Sequence, residues 1–173
     1  MNQQPGGLTV TIADRATKIT VTGGGAFTLP LGPLTLLEGP LEGDDPPTAV
    51  HLTNALGLVQ DHFDDIVIEA PNIATAPSVV ASGQHALALA HAEVGKLTLP
   101  LSYRLRRSDA DELFRTLVAE PIAQRQFNPG LDRTDVESII GTCCVILGIM
   151  RRLDIQEVAI QEVANKAEPD TGN

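Results

Sequence analysis

The feature that most constrains this chain is the close spacing of its first three apolar–polar alternations. Leu8-Thr9-Val10-Thr11-Ile12 and Lys18-Ile19-Thr20-Val21-Thr22 both alternate and are rich in β-branched residues, which suit a pleated, half-buried surface. Only Ala13-Asp14-Arg15-Ala16 lies between them, a tight connection. Gly23-Gly24-Gly25 then leads into a third strand, Ala26 to Gly32. Three strands separated by turn-sized gaps predict an antiparallel meander.

Helical and strand patterns follow in turn. Glu42 to Thr48 reads as a helix entry, with acids for the positive dipole end and Pro46-Pro47 tolerated in the first turn. Val50, Leu52, Leu56, Val59 and Phe63 then sit at helical spacing, predicting a helix to about His62. Asp65 to Glu69 reads as a short buried strand, Pro71 to Ala74 as a turn, and Ala76 to Ala90 as an Ala-rich helix. Lys96 to Tyr103 alternates and reads as an edge strand or an extended loop, Pro100 favouring an edge. Ser108 to Glu112 caps a helix through Val118, Ile122 to Gln126 is a short helix, and Asn128-Pro129-Gly130 is a turn. From Asp132 to about Leu153 the apolar surface is so wide that the helix must be largely buried; it is expected to be the longest. Glu157 to Ile160 gives a last strand.

This order predicts an α/β fold: a single ribonuclease H-like lobe over residues 8–163, its three-stranded antiparallel meander extended by parallel strands, with helices on both faces. Residues 1–7 are expected to form a disordered N-terminal segment and 164–173 a frayed C-terminal tail.

Composition narrows the function classes. The net charge is −10, from 12 Lys and Arg against 22 Asp and Glu, and the chain has four Phe, one Tyr and no Trp. An acidic chain with few stacking platforms is not expected to bind nucleic acid. No apolar run approaches a membrane span and no leader opens the chain, so the protein is expected to be cytoplasmic. Cys143 and Cys144 are adjacent on the buried helix and make neither a disulfide framework nor a metal motif. The charge is uneven: −8 over residues 1–95, +2 over 96–152 and −4 over 153–173. An anion-binding surface would therefore sit around Arg104, Arg106, Arg107, Arg125 and Arg133. The plainer alternative pairs these with Asp109, Asp111, Glu112 and Asp132.

No motif is catalytic on its own chemistry. Gly23-Gly24-Gly25 precedes a strand rather than a helix, which favours a hairpin turn over a phosphate loop. Asp61-His62-Phe63-Asp64-Asp65 could ligate a divalent metal, but no second cluster supports it, and a solvated helix end is the better reading. His85 and His91, at i and i+6, are poorly spaced for a shared metal, and His51 is isolated. Ser82 lacks the flanking glycines of a nucleophile elbow. No catalytic, cofactor or metal residue is therefore assigned.

Three segments, in order, carry a resemblance. Leu29-Pro30-Leu31-Gly32-Pro33-Leu34-Thr35-Leu36 looks like S-L-P-L-G-A-V-R-L, Asp45-Pro46-Pro47-Thr48 like a D-P-P before a helix, and Gln124 to Val136 like R-x-x-x-P-G-L-x-x-x-R-A-D-V, with Gly141 where a buried helix carries G-A. From about Val10 to Ile160 the chain thus resembles the C-terminal half of the core of the exopolyphosphatase / guanosine pentaphosphate phosphatase family. That family shares the two-lobed fold of actin and the sugar kinases. The hallmark D-I-G-G-G-S-T-E of its first hairpin falls on Thr11 to Lys18. There Ala13-Asp14-Arg15 replace the glycines, Ala16 the serine and Lys18 the glutamate, and only Thr17 is kept. Side chains in place of glycines block backbone approach to phosphate, and Asp14 adds a repelling charge. The family's second turn, A-G-T-A-T-T, falls on Ala70 to Thr75, with Asn72 and Thr75 at polar positions; its closing S-D-x-G-L-R-E-G is replaced by Gln161 to Lys166.

The resemblance implies a phosphoanhydride hydrolase; the departures imply one that has degenerated. At 173 residues the chain is expected to have no room for the lobe that supplies the family's general base. The expectation is a pseudo-enzyme with a binding, scaffolding or regulatory role, covered by a second copy of itself, as a dimer, or by another protein lobe. A phosphorylated ligand would be met through the remnant positions Thr11, Asp14, Arg15, Thr17, Asn72 and Thr75. The competing expectation is a phosphohydrolase half completed in trans, which alone would call for magnesium.

Overall fold

In the computed structural model, which describes residues 6–162, the alternating segments become β1 (Leu8–Ile12), β2 (Thr17–Val21) and β3 (Ala26–Leu29). They pair as an antiparallel meander, Val10 opposite Ile19 and Ile19 opposite Phe27. The fold continues through β4 (Val79–Ser82), β5 (Arg104–Arg106) and β6 (Glu157–Gln161) into a six-stranded sheet of order β3-β2-β1-β4-β6-β5. β1–β4 and β4–β6 are parallel, while β5 joins β6 antiparallel. The mixed α/β architecture and its meander are as the sequence predicts. The expected 1–7 and 164–173 segments fall largely outside the described residues.

Register carries the hydrophobic pattern across the sheet. Leu8, Val10 and Ile12 are buried, as are Ile19 and Val21 opposite them, Val79 and Ala81 on β4, and Val158 on β6. The alternate residues Thr9, Thr11, Thr20 and Val80 are half-buried, and Lys18 and Thr28 are exposed. Around the sheet stand α1 (Pro33–Leu37), α2 (Ala49–Glu69), α3 (Gln84–Val94), α4 (Arg107–Ala119), α5 (Ile122–Arg125) and α6 (Ile139–Arg152). α6 is the hub, packing on α1, α2, α3 and α4. Every residue from Ile139 to Met150 is buried, as its wide apolar surface requires. Two glycines permit the closest approaches: a Cβ on Gly141 would lie 2.6 Å from the Pro33 carbonyl oxygen, and one on Gly148 2.6 Å from Val59 Cγ1.

Several expectations are corrected. Asp65 to Glu69 is no strand but the last turn of α2, the longest helix described, at 21 residues. Val59, Phe63, Ile66 and Val67 continue one buried stripe, while Ile68 points away at 77% exposure. The strand expected there is instead Val79–Ser82, so the helix expected over Ala76 to Ala90 starts only at Gln84. Residues 132–138 are turns, because Asp132 accepts the backbone N–H and the hydroxyl of Thr134 and offers the chain an alternative to helix. At α4 the cap is Arg106 in extended conformation, and Ser108 makes no capping bond. Lys96 to Tyr103 is an extended loop with turns, the short strand coming after it.

Candidate functional site

At the end of the sheet where β1 and β4 finish side by side, two turns meet. The first is the β1–β2 hairpin, closed by the Ala13 N–H donating to the Ala16 carbonyl at 2.9 Å, with Asp14 and Arg15 at its tip. It is braced from below: Leu34 N–H donates to the Asp14 carbonyl at 2.9 Å, and a Cβ on Gly32 would sit 2.4 Å from the Ala13 carbonyl oxygen. Thr17 is fully buried, its hydroxyl donating to the Leu31 carbonyl at 2.8 Å, so it holds the fold and faces no ligand.

The second turn is Gly83, which links β4 to α3 at φ +97°. Its backbone runs so close to β1 that a Cβ there would meet the Ile12 carbonyl oxygen at 2.7 Å. The two turns are joined by side chains. The hydroxyls of Thr11 and Ser82 lie 2.9 Å apart, and the His85 Nε2–H, in the first turn of α3, donates to Asp14 Oδ1 at 2.7 Å. The other ring nitrogen, Nδ1, is buried with no hydrogen-bond partner among the described residues. Arg15 turns away to Glu38, donating from both guanidinium nitrogens, the Nη2 bond at 2.7 Å. The hydrogen bond from Arg15 holds the exposed Glu38 carboxyl below its ordinary value.

Beside this junction lies a cleft of about 320 Å³ lined by Gln84, Leu87, Ala88, His91, Leu97, Asp132, Thr134 and Asp135. Its charges are acidic. Hydrogen bonds from the Thr134 backbone and hydroxyl hold the Asp132 carboxyl below its ordinary value. Burial pushes the Asp135 carboxyl up; the His85 imidazole opposes that rise, Asp132 adds to it, His91 opposes it and Asp14 adds to it. An anion entering here meets two carboxylates, Asp132 and Asp135, and no Lys or Arg among the lining residues.

The structure brings Thr11 and Asp14 together with Ser82, Gly83 and His85. It does not bring Asn72 and Thr75 to them. Those two lie in the 3-10 turn Pro71–Thr75, ahead of the end of β4 that pairs with Leu8, and Thr75 donates to the Asn72 carbonyl at 3.1 Å. A strand–Gly–helix signature, Val79-Val80-Ala81-Ser82-Gly83 before Gln84, marks the turn that the earlier register missed. The basic section is dispersed into structural pairs: Arg104 with Glu157, Arg107 with Asp154, Arg151 with Asp111 and Arg152 with Asp64. Arg125 is buried among backbone carbonyls. Asp61 to Asp65 sits inside α2, and no group of three or more His, Cys, Asp or Glu among the described residues is arranged to hold a metal ion. No helix among them is long and apolar enough to cross a membrane.

A meander feeding parallel strands, with a hairpin and a strand–Gly–helix turn facing each other at one sheet end, is an actin-like α/β architecture. Solved structures give the comparison its detail. An exopolyphosphatase-like protein superposes with a TM-score of 0.80 at 17% identity, covering 90% of this chain and 55% of its own. The Aquifex aeolicus member of the Ppx/GppA family gives 0.75 at 14%, over 91% of this chain and 52% of its own. An exopolyphosphatase from Cytophaga hutchinsonii gives 0.70 at 14%, over 91% and 53%. The chain therefore spans about half the length of these structures and shares their fold. No protein-family model matches it, and no curated protein matches it by sequence.

Proposed function

We propose that this chain is a catalytically degenerate relative of the exopolyphosphatases that acts by binding, scaffolding or regulation, together with a second copy or another protein lobe. One observation carries the reading: the carboxylate of Asp14 is docked on His85 in the first turn of α3. A helix N-terminus beside a tight turn is where oriented N–H groups and the helix dipole favour an anion. In this chain the Asp14 carboxylate stands beside that place, held by the His85 side chain rather than by the backbone N–H groups of α3, and repels an incoming anion. Arg15, the cation at the hairpin tip, is spent on Glu38. Phosphoryl transfer needs a phosphate cradle, a positioned water and neutralisation of the transferred charge. A turn flanked by its own carboxylate, next to Asp132 and Asp135, works against the first and third.

The test is ligand-dependent stability. A ligand that binds only the native state raises its melting temperature by mass action. Phosphate, nucleotides and polyphosphate, with and without Mg²⁺, are expected to leave the melting temperature unchanged. A saturable rise with any of them overturns the reading of an anion-repelling turn and favours the phosphohydrolase half.

A further inference from the structure

The cleft beside the hairpin holds a group that the fold itself does not explain. Asp135 lines it and is only 8% exposed as a residue, and its carboxylate oxygens, bonded to no described residue, open into the cleft rather than into the core. Buried carboxylates are ordinarily paired or hydrogen-bonded, because removing one from water without a partner is costly. Asp132, on the same wall, is pinned through Oδ1 by the N–H and hydroxyl of Thr134 at 3.0 and 2.9 Å, which leaves Oδ2 without a donor. The apolar part of the lining includes Leu87 and a Leu97 that is 61% exposed. The cavity, about 320 Å³, falls within the range of small-molecule sites.

We propose that this cleft binds a small organic cation, an alkylammonium whose head meets Asp135 and Asp132 while its chain lies along Leu87 and Leu97. An ammonium offers three donors and no acceptor, matching a site that offers acceptors in need of donors. An anion is refused by the same groups. A bare metal ion is disfavoured because no three ligating side chains converge among the described residues. The charged and titratable groups around Asp135 are Asp14, Asp132, His85 and His91, with Arg133 exposed on the adjoining turn and Lys96 beyond the end of α3. Burial raises the Asp135 carboxyl, so a bound cation displaces its proton and affinity climbs as pH rises through its titration.

This deepens the reading of the chain as a binding protein, and the two fail separately: phosphate release would overturn that reading without touching ammonium binding. The experiment titrates the full chain with n-butylammonium, n-butanol and butyrate by calorimetry and by amide chemical shifts. n-Butylammonium should bind saturably and at least about tenfold more tightly than n-butanol, with shifts at His91, Thr134 and Asp135 and no binding of butyrate. Asp135→Asn, of the same shape, should weaken it by at least about tenfold, and Asp132→Asn by several-fold. Should Asp135→Asn fail to fold, Asp132→Asn and the shift map decide. Equal binding of the alcohol, shifts outside the cleft, or full affinity in a folded Asp135→Asn or in Asp132→Asn would overturn the proposal.

Discussion

Replacing Arg125 by methionine tests what holds this lobe together. The guanidinium is 2% exposed and donates from Nε to the Leu117 carbonyl at 3.3 Å, from Nη1 to Val136 at 3.2 Å and from Nη2 to Glu120 at 2.9 Å. It thereby closes the last turn of α4 and ties it to the loop before α6. Asp45 stands 3.5 Å away and accepts the Ile122 N–H with both oxygens, at 3.0 and 2.8 Å. Methionine fills similar volume but strands the Glu120 and Val136 carbonyls, each at about 1–3 kcal/mol, whereas Leu117 keeps the Glu120 N–H at 3.3 Å. With the loss of charge beside Asp45, the expected cost is about 3–5 kcal/mol, the usual range for breaking a buried pair from one side. Arg125→Lys retains the charge but not the fork and should cost about 2 kcal/mol. Asp45→Asn keeps an acceptor for Ile122 and loses only a long, partly exposed ion pair, so about 1 kcal/mol or less is expected. Urea denaturation followed by far-UV circular dichroism gives all three from midpoints at constant slope. If Asp45→Asn cost as much as Arg125→Met, the ion pair rather than the carbonyls would be the bolt. A loss under about 1 kcal/mol for Arg125→Met would refute the reasoning altogether.

Three further outcomes follow from the same geometry. Gly141→Ala drives a Cβ to 2.6 Å from the Pro33 carbonyl oxygen, and the overpacking, about 1–3 kcal/mol, should outweigh the gain of roughly 1 kcal/mol in helix propensity, lowering the melting temperature. Asp14→Ala removes the carboxylate beside the first turn of α3, so inorganic phosphate should raise the melting temperature of the variant and not of the native chain; equal responses would show that Asp14 does not keep anions out. Burial pushes the Cys144 thiol up to about 12 from 9.0. The native state thus keeps a proton that the unfolded state loses, and stability should fall as pH rises through that window, by up to about 1.4 kcal/mol per pH unit. Cys144→Ala should remove that part of the slope, as read by denaturation at graded pH.

The meander was legible because alternation, turn length and burial all pointed one way, and α6 because its apolar residues leave no polar stripe. The middle of the chain was not. Ile66-Val67-Ile68 is a β-branched run that reads as strand, yet tertiary packing extends the stripe of Val59 and Phe63 through it as helix. The true central strand is four residues long, preceded by Pro77 and embedded among alanines, so local propensity masked it. That one slip displaced the second turn of the site. Asn72 and Thr75 were weighed in place of Ser82, Gly83 and His85. The segments that carried the resemblance have physical reasons to persist: Arg125 ties three backbone carbonyls together, Asp45 accepts the N–H of Ile122 at the start of α5, Gly32 lets the hairpin rest on α1, and a Cβ on Gly130 would meet the His91 carbonyl oxygen at 1.8 Å. They are features of folding rather than of catalysis. The pairing of Asp14 with His85 and of Arg15 with Glu38 depends on contacts 71 and 23 residues apart, beyond any local pattern.

The most direct test of the account is the time course of phosphate release from long-chain polyphosphate and a nucleoside tetraphosphate, with Mg²⁺, by the purified chain at concentrations high enough for self-association. For a degenerate lobe the trace is expected to be indistinguishable from the buffer blank. Sustained release, lost on mutation of the hairpin, would contradict it.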